Sequence, residues 1–307
     1  MADVSIIVVS YNTRELLWDC LTSVALGCEG LSAEVFVVDN ASSDDSAEIV
    51  RKEFPEVCLV VNDANLGFAA ANNLALERAA GRYVVLLNPD TQVRRGAMTR
   101  LVEFMDARPQ AGYCGPRLLN ADGSLQESAR RFPTVLSSAF SILGLDRRYP
   151  HSRHALNLHS LHEDRQLFRA DWVSGACLMV RSTAVQEVGL MDAGFFLYFE
   201  ETDWCRRMAS SGWEGWYVPS AEVIHLGGQS VGEVYSAAPF SGDHPVHWVR
   251  SRRRYIRRYY GLFGLAVEEA LLLLLYSGIW LRHRWRRSDL SYKRARSAAT
   301  AIRFILS

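Results

Sequence analysis

The chain has 307 residues, 49% of them hydrophobic, enough to bury a full core in one large domain or in one domain plus an appendage, which excludes a disordered tail. Its 34 Lys+Arg balance 34 Asp+Glu, yet residues 246–307 carry 14 basic against 3 acidic residues, leaving 20 against 31 before them. The neutral total therefore conceals an acidic body and a basic C-terminal part, and such a tail suits an anionic surface, membrane or nucleic acid.

In chain order, hydrophobic periodicity predicts strand 4–9, helix 14–26, strand 34–38, helix 44–53, strand 57–61, helix 68–80, strand 83–87 and helix 95–107. This alternation with short connections predicts an α/β fold with a mostly parallel, Rossmann-like central sheet flanked by helices. Strands are then expected from Tyr113 to Leu119, from Trp172 to Arg181 and from Gly215 to Val218, with a helix from Glu201 to Ser211. Residues 146–169 read as a long polar loop, and loops of that length are usually lids or disordered. Its four histidines, His151, His154, His159 and His162, are widely spaced and read as solvated. Cys20, Cys28, Cys58, Cys114, Cys177 and Cys205 have no short paired spacing, so reduced thiols in a cytosolic protein are expected, without a disulfide frame or zinc site. The first strand begins at once, so no signal peptide is expected.

Three polar motifs stand at the ends of strand-like runs: Ser10-Tyr11-Asn12, Asp39-Asn40 with Ser42, Ser43 and Asp44, and Asn88-Pro89-Asp90. Open α/β sheets bind ligands at the carboxyl ends of their strands. A fourth motif is the most informative: Phe195 to Phe199 run directly into Glu200, Glu201 and Asp203, then into Arg206 and Arg207. Carboxylates delivered by an apolar segment suit a general base in a partly dry pocket, although acidic side chains also favour a helix N-terminus. Segment 62–73 holds Asn65, Gly67 and Asn72, a tight turn and helix start that can face anionic groups.

Together these motifs resemble glycosyltransferase family 2, inverting enzymes of the GT-A fold, from about residue 4 to about residue 230. Within it the rhamnosyltransferase-like branch is the nearest, where Leu86-Leu87-Asn88-Pro89-Asp90 replaces an acidic triplet and Gly227, Gly228 and Ser230 follow His225. The resemblance implies a GT-A domain over 1–245 and a basic, amphipathic helical region over 246–307. It implies that Asp39 contacts the base of a UDP- or dTDP-sugar, with Ser10, Tyr11 and Asn12 beneath the nucleoside and Asn65, Gly67 and Asn72 at the nucleotide. Asn88-Pro89-Asp90 takes the place of the family's metal-binding Asp-x-Asp for Mg²⁺ or Mn²⁺, with one carboxylate from Asp90, a neutral amide from Asn88, and His225 at the metal and diphosphate. Glu201 stands at the base position, one methylene longer than the usual aspartate; Glu200 competes with it, and Asp203 orients the helix or pairs with Arg206 or Arg207. Asp171, Trp172, Ser174, Gly175 and Ala176 correspond to the acceptor and donor-sugar strip.

In the C-terminal region, arginines interleave with aromatics from Trp248 to Tyr260, ahead of the apolar Leu262–Leu281 stretch that Glu268 and Glu269 interrupt. Charges at depth are costly, so a helix lying in the membrane interface or packed hairpin-like on the domain is expected in place of a span. Arg282, Arg284, Arg286 and Arg287, flanking Trp285, would meet anionic headgroups. The expected enzyme moves a sugar, rhamnose being the branch's suggestion, to a hydroxyl of a glycan or polyprenyl-diphosphate-linked acceptor for cell-surface polysaccharide. It would sit on the inner face of the cell membrane, with no nucleic-acid partner and a second copy of itself as an allowed one. The rivals are a nucleotidyltransferase, which would need a glycine- and lysine-rich loop where Ser10-Tyr11-Asn12-Thr13-Arg14 stands, and a non-catalytic membrane-associated scaffold.

Overall fold

The computed structural model describes residues 2–163, 165–227, 245–284, 298–303 and 305–306. Its strands are β1 Val4–Ser10, β2 Ala33–Asp39, β3 Cys58–Val61, β4 Tyr83–Leu87, β5 Thr91–Val93, β6 Ala111–Leu119, β7 Leu125–Gln126, β8 Ala129–Arg130, β9 Phe168–Arg169, β10 Trp172–Val173, β11 Cys177–Arg181 and β12 Glu214–His225. Its helices are α1 Arg14–Gly27, α2 Ser46–Glu53, α3 Phe68–Leu76, α4 Ala97–Asp106, α5 Val135–Ile142, α6 Leu145–Arg148, α7 Ser182–Val188, α8 Glu200–Ser210 and α9 Pro245–His283.

The main sheet runs β3-β2-β1-β4-β11-β6-β12-β5, with β1 to β4 parallel and β11 antiparallel between β4 and β6. All seven residues of β1 are buried, as a strand covered on both faces requires. Alternate side chains go to opposite faces: Val4, Ile6 and Val8 pack with Leu17 and Leu101 of α1 and α4, while Ile7 and Val9 pack with Ala69 of α3 and Trp204 of α8. The register sets Ser10 beside Asp39 and Val8 beside Leu87, so the three strand-end motifs share one edge of the sheet.

Several elements differ from the sequence reading. The run from Trp172 to Arg181 is two strands in two sheets, β10 against β8 and β11 in the main sheet, because residues 174–176 turn between them. Strand β12 is three times the predicted length, continuing past Pro219 through an irregularity between Val218 and Glu222 to His225. Residues 146–169 are not one open loop: they contain most of α6, a 3-10 turn at His159–Leu161 and all of β9. His159 is also not simply solvated, since its Nε2 accepts N–H groups of Ser128 and Ala129 and its ring meets Phe168 and Tyr217 edge-on.

Helix α9 is broken at Gly261, whose φ of 70° folds the apolar arm back along the basic one. Glu268, read from sequence as an interruption, is fully buried: it sits 2.7 Å from Arg252 and accepts from Ser138 Oγ of α5 at 2.7 Å. Glu269 pairs with Arg253. The carboxylates therefore turn inward, while Leu262, Phe263, Val267, Leu274 and Leu281 recur at helical spacing along an exposed outer stripe. Gly228, Ser230, Trp285, Arg286 and Arg287 lie outside the described residues.

Candidate active site

At the β1–β2 edge, Asp39 is buried; its Oδ2 accepts the N–H of Ser42 at 3.0 Å, and its Oδ1 has no partner among the described residues. A buried carboxylate oxygen without a donor is costly and suits a ligand N–H. Ser10 Oγ bonds Thr13 Oγ1, and Tyr11 is half exposed beside it. Asn12 is engaged inside the protein: its Oδ1 accepts from Ser43 N and Oγ, and its N–H bonds Ser42 Oγ, tying the loops after β1 and β2 together. Asn65 is engaged likewise, accepting from Asn40 Nδ2 and Gly67 N. The side chains of Asn12 and Asn65 thus build the loops, and only their surroundings are open to a nucleotide. Asn40 organises that side of the site, because its Oδ1 also takes Leu66 N and Asn62 Nδ2. Asn72 is buried and donates to Phe68 O, and its Oδ1 has no partner among the described residues.

Gly67 has φ 82°, and a Cβ there would lie 2.4 Å from the Phe196 carbonyl oxygen, so only glycine fits. That carbonyl also accepts from Phe68 N, which joins the start of α3 to the aromatic segment before α8. Tyr198 and Phe199 then both adopt φ near +70°, a strained conformation for consecutive aromatic residues that swings α8 into the site.

Glu200 and Glu201 open α8 and are both buried. Burial and the neighbouring Glu201 charge push the Glu200 carboxyl well above its ordinary value, and its Oε2 has no partner among the described residues. Burial also raises the Glu201 carboxyl, opposed by the N–H groups of Thr202 and Gly175 and by the Arg130 charge. A raised carboxyl pKa is what a general base near neutral pH needs. Burial and the charges of both glutamates push the Tyr198 hydroxyl well above its ordinary value, and it has no partner among the described residues, so it stays a neutral donor. The space over Gly175 is bounded by Glu201 and Phe68, each about 3.7–3.8 Å from where a Cβ would lie.

Asp203 points elsewhere. Its fully buried carboxylate takes Arg207 at 3.0 Å, Arg258 at 3.0 Å and the Tyr259 hydroxyl at 2.8 Å. Of the two arginines offered by the sequence as partners, Asp203 pairs with Arg207, one helical turn on, a geometry that suits a positioning role. Arg206 instead donates to the hydroxyls of Tyr255 and Tyr260 and lies over the Tyr259 ring.

The β10 strip is partly structural too. Exposed Asp171 accepts Phe132 N, the Trp172 indole donates to Arg131 O, and Ser174 N bonds Ser128 O. Ala176 O accepts Asn88 N, which brings the Gly175–Ala176 turn against the Asn88-Pro89-Asp90 segment.

β12 pairs with β5 so that His225 lies opposite Thr91, and His225 Nε2 comes within 3.3 Å of Asp90 Oδ1. The tautomer follows from a chain of amides. Asn120 Nδ2 faces Ser124 Oγ and Leu125 O, so its Oδ1 accepts from Gln126 Nε2; Gln126 Oε1 therefore accepts from His225 Nδ1 at 2.6 Å. In the neutral ring Nε2 then keeps its lone pair toward Asp90, the arrangement a shared cation favours. Gln126 and Arg130 were not singled out by sequence, since each acts through long-range contacts and carries no motif signal; Asn40 and Tyr198 lay inside the motifs but were given no role of their own.

Residues 5–187 match the family model Glycosyl transferase family 2. The chain belongs to glycosyl transferase family 2. The family assignment agrees with a relative, the N-acetylglucosaminyl-diphospho-decaprenol L-rhamnosyltransferase of Mycobacterium tuberculosis, 31% identical over 244 residues covering 76% of this chain and 79% of the relative. The rhamnosyltransferase WbbL of Escherichia coli K12 is 26% identical over 52% of the chain and 60% of its own length. This family 2 glycosyltransferase also shares its fold with the mannosyltransferase PcManGT from Pyrobaculum calidifontis, solved with GDP-Man and Mn²⁺, at TM-score 0.56 and 16% identity over 99% of this chain and 86% of that one. The fold class is thus GT-A-like, a mostly parallel mixed sheet flanked by helices, with a C-terminal helix added.

Proposed function

We propose that this glycosyltransferase is an inverting enzyme that moves a sugar, rhamnose first among the candidates, from a UDP- or dTDP-sugar to a hydroxyl of a polyprenyl-diphosphate-linked or glycan acceptor in cell-surface polysaccharide synthesis. The observation that carries the reading is Glu201, a buried carboxyl with a raised pKa at the start of α8, beside the Gly175–Ala176 turn that meets Asn88 at the sheet edge shared with Asp39. Asp39 Oδ1 accepts the imide N–H of uracil or thymine. Glu201 takes the proton of the acceptor hydroxyl as its oxygen forms a bond to the anomeric carbon. The bond from that carbon to the diphosphate oxygen breaks on the opposite face, and its electron pair leaves with the nucleoside diphosphate, which inverts the anomeric centre. The Tyr198 hydroxyl and Glu200 hold sugar hydroxyls beside the reacting carbon.

Asp90 and His225, with the Asn88 amide beside them, are the residues that would hold Mg²⁺ or Mn²⁺, and the lone pair that Gln126 leaves on His225 fits that group. A divalent cation bound there offsets charge on the diphosphate. With one carboxylate only, these residues would hold a cation weakly without nucleotide phosphates.

The enzyme sits on the cytoplasmic face of the membrane. The exposed stripe of α9, with Phe263 82% and Leu274 72% exposed, is followed by the exposed Arg282 and Arg284, and its glutamates face the protein, where they pair with Arg252 and Arg253. Such a helix lies in the interface and is held by apolar contact and anionic headgroups. A panel of nucleotide sugars incubated with purified enzyme and a lipid-linked acceptor tests the reading, by product mass and anomeric configuration. An inverted glycoside from one donor supports it; retention of configuration, or no transfer from any donor, refutes it.

A further inference from the structure

A groove of about 400 Å³ opens between the start of α5, the 150–155 turn and the apex of the α9 hairpin, lined by Thr134, Val135, Leu136, Arg153, His154 and Tyr260. Its walls are fixed. Arg131 Nη1 donates to the carbonyls of Ser152 and Ala155, which clamps the turn against the chain before α5, and the Tyr260 hydroxyl donates to Pro133 O, which fastens the hairpin to the other side. Thr134 closes the N-terminus of α5 with a reciprocal capping box to Ser137.

Two properties define what the groove can hold. One wall carries a guanidinium and an imidazole, Arg153 and His154, in mutual contact at 3.3 Å, and no carboxylate lines the groove among the described residues. The other wall is apolar and continues onto a surface of exposed leucines and a phenylalanine: Leu136 on α5, Leu143 just past its end, and Leu262 and Phe263 just past Tyr260. An anion joined directly to an apolar chain matches both. The groove is also connected to the proposed base, since residues 130–134 lead from Arg130, whose charge acts on Glu201, to Thr134 at the groove. Four residues of extended chain span at most about 14 Å. That is the scale of one sugar and one diphosphate.

We propose that this groove is the acceptor's lipid-side site: it takes the diphosphate against Arg153 and His154 and the first isoprene units against Val135, Leu136 and Tyr260, so that the terminal sugar lies at Glu201. The site rests on the proposed reading of the acceptor as a prenyl diphosphate sugar. It makes the hairpin part of acceptor recognition, because the same apex that fastens the groove wall presents Leu262 and Phe263 to the bilayer from which the prenyl chain comes.

The test is equilibrium binding of geranyl diphosphate to the full chain, with inorganic pyrophosphate and anionic phospholipid vesicles as separate arms. Leu136→Asp and Arg153→Glu alter exposed side chains, and Arg147→Glu, on α6, exposed and not among the residues that line the groove, is the control. The expected result is a tenfold or greater loss of geranyl diphosphate affinity in both groove variants and none in the control, with pyrophosphate binding unchanged by Leu136→Asp. Equal geranyl diphosphate affinity in all four proteins overturns the site. So does displacement of geranyl diphosphate by phospholipid vesicles at matched phosphate, which would make the groove a general headgroup surface. Donor hydrolysis measured on the same proteins separates the two readings: its absence in the unaltered chain defeats the transferase reading, whereas groove-dependent binding alone decides the site.

Discussion

Arg258 donates to Asp203 Oδ1 at 3.0 Å and so fastens the C-terminal helix to α8, the helix that begins with Glu200 and Glu201. Ser251 Oγ to Leu197 O and the Arg254–Asp192 pair add to this seam. The basic region is therefore packed against the segment that delivers the proposed base, and only the outer stripe of its apolar arm is left for lipid.

Removing Asp203 should accordingly act through stability. Asp203→Ala leaves Arg207, Arg258 and the Tyr259 hydroxyl without their shared acceptor, a loss on the order of 3 kcal/mol. Thermal unfolding of the purified variant should show a Tm lower by several degrees, with nucleotide affinity of the remaining folded protein unchanged. An unchanged Tm with abolished turnover would return Asp203 to the chemistry.

Gln126 should matter to the cation without touching it. Gln126→Leu frees the ring of His225, and the loss of such an orienting partner commonly weakens metal affinity by about 10–100-fold. Calorimetric titration of Mn²⁺ into enzyme saturated with nucleotide should show at least a tenfold loss, and Asp90→Ala should abolish both the cation dependence and the activity. Full activity of the unaltered enzyme in excess chelator would refute the metal assignment.

Asp39→Ala should weaken nucleotide binding and leave the preference between Mg²⁺ and Mn²⁺ alone, because Asp39 Oδ1 is the atom proposed to meet the base. Equal nucleotide affinity would reduce Asp39 to its bond with Ser42 N.

The buried glutamates give stability a definite pH dependence. Glu200 has a folded-state pKa above its unfolded value of about 4.5, so the fold favours its protonated form. Its contribution is fully present below about 4.5 and is lost as pH rises through the raised folded value. Glu200→Gln removes that loss, so Tm should rise by a few degrees at pH 8 and not at pH 4. A Tm gain of the same size at both pH values would contradict the assignment.

The parts of the fold that sequence showed were those set by local rules. Buried runs such as Val4–Val9 and Tyr83–Leu87 end at polar motifs, so β1, β2 and β4 and their shared edge could be placed from pattern alone. Trp172 to Arg181 misled because its turn, Ser174-Gly175-Ala176, is small and apolar enough to look like strand. Pro219, Ser220 and Glu222 similarly hid the second half of β12, and with it the route that takes His225 to Asp90. At the site, Glu201 and Asp90 could be named from a family motif. Gln126 could not: it meets His225 across 99 residues, and nothing local to either residue announces the bond. Glu268 was legible as a charge in an apolar helix, but its partner Arg252 became visible only once Gly261 folded the helix back.

The assignment of Glu201 as base is tested most directly by single-turnover transfer with Glu201→Gln and Glu200→Gln side by side, each saturated with donor. Glu201→Gln should keep donor affinity within a few-fold and lose about 10² or more in rate, the usual scale for a general base, while Glu200→Gln loses distinctly less. If Glu200→Gln is the more damaging change at equal donor affinity, the base is Glu200 and the account of Glu201 is wrong.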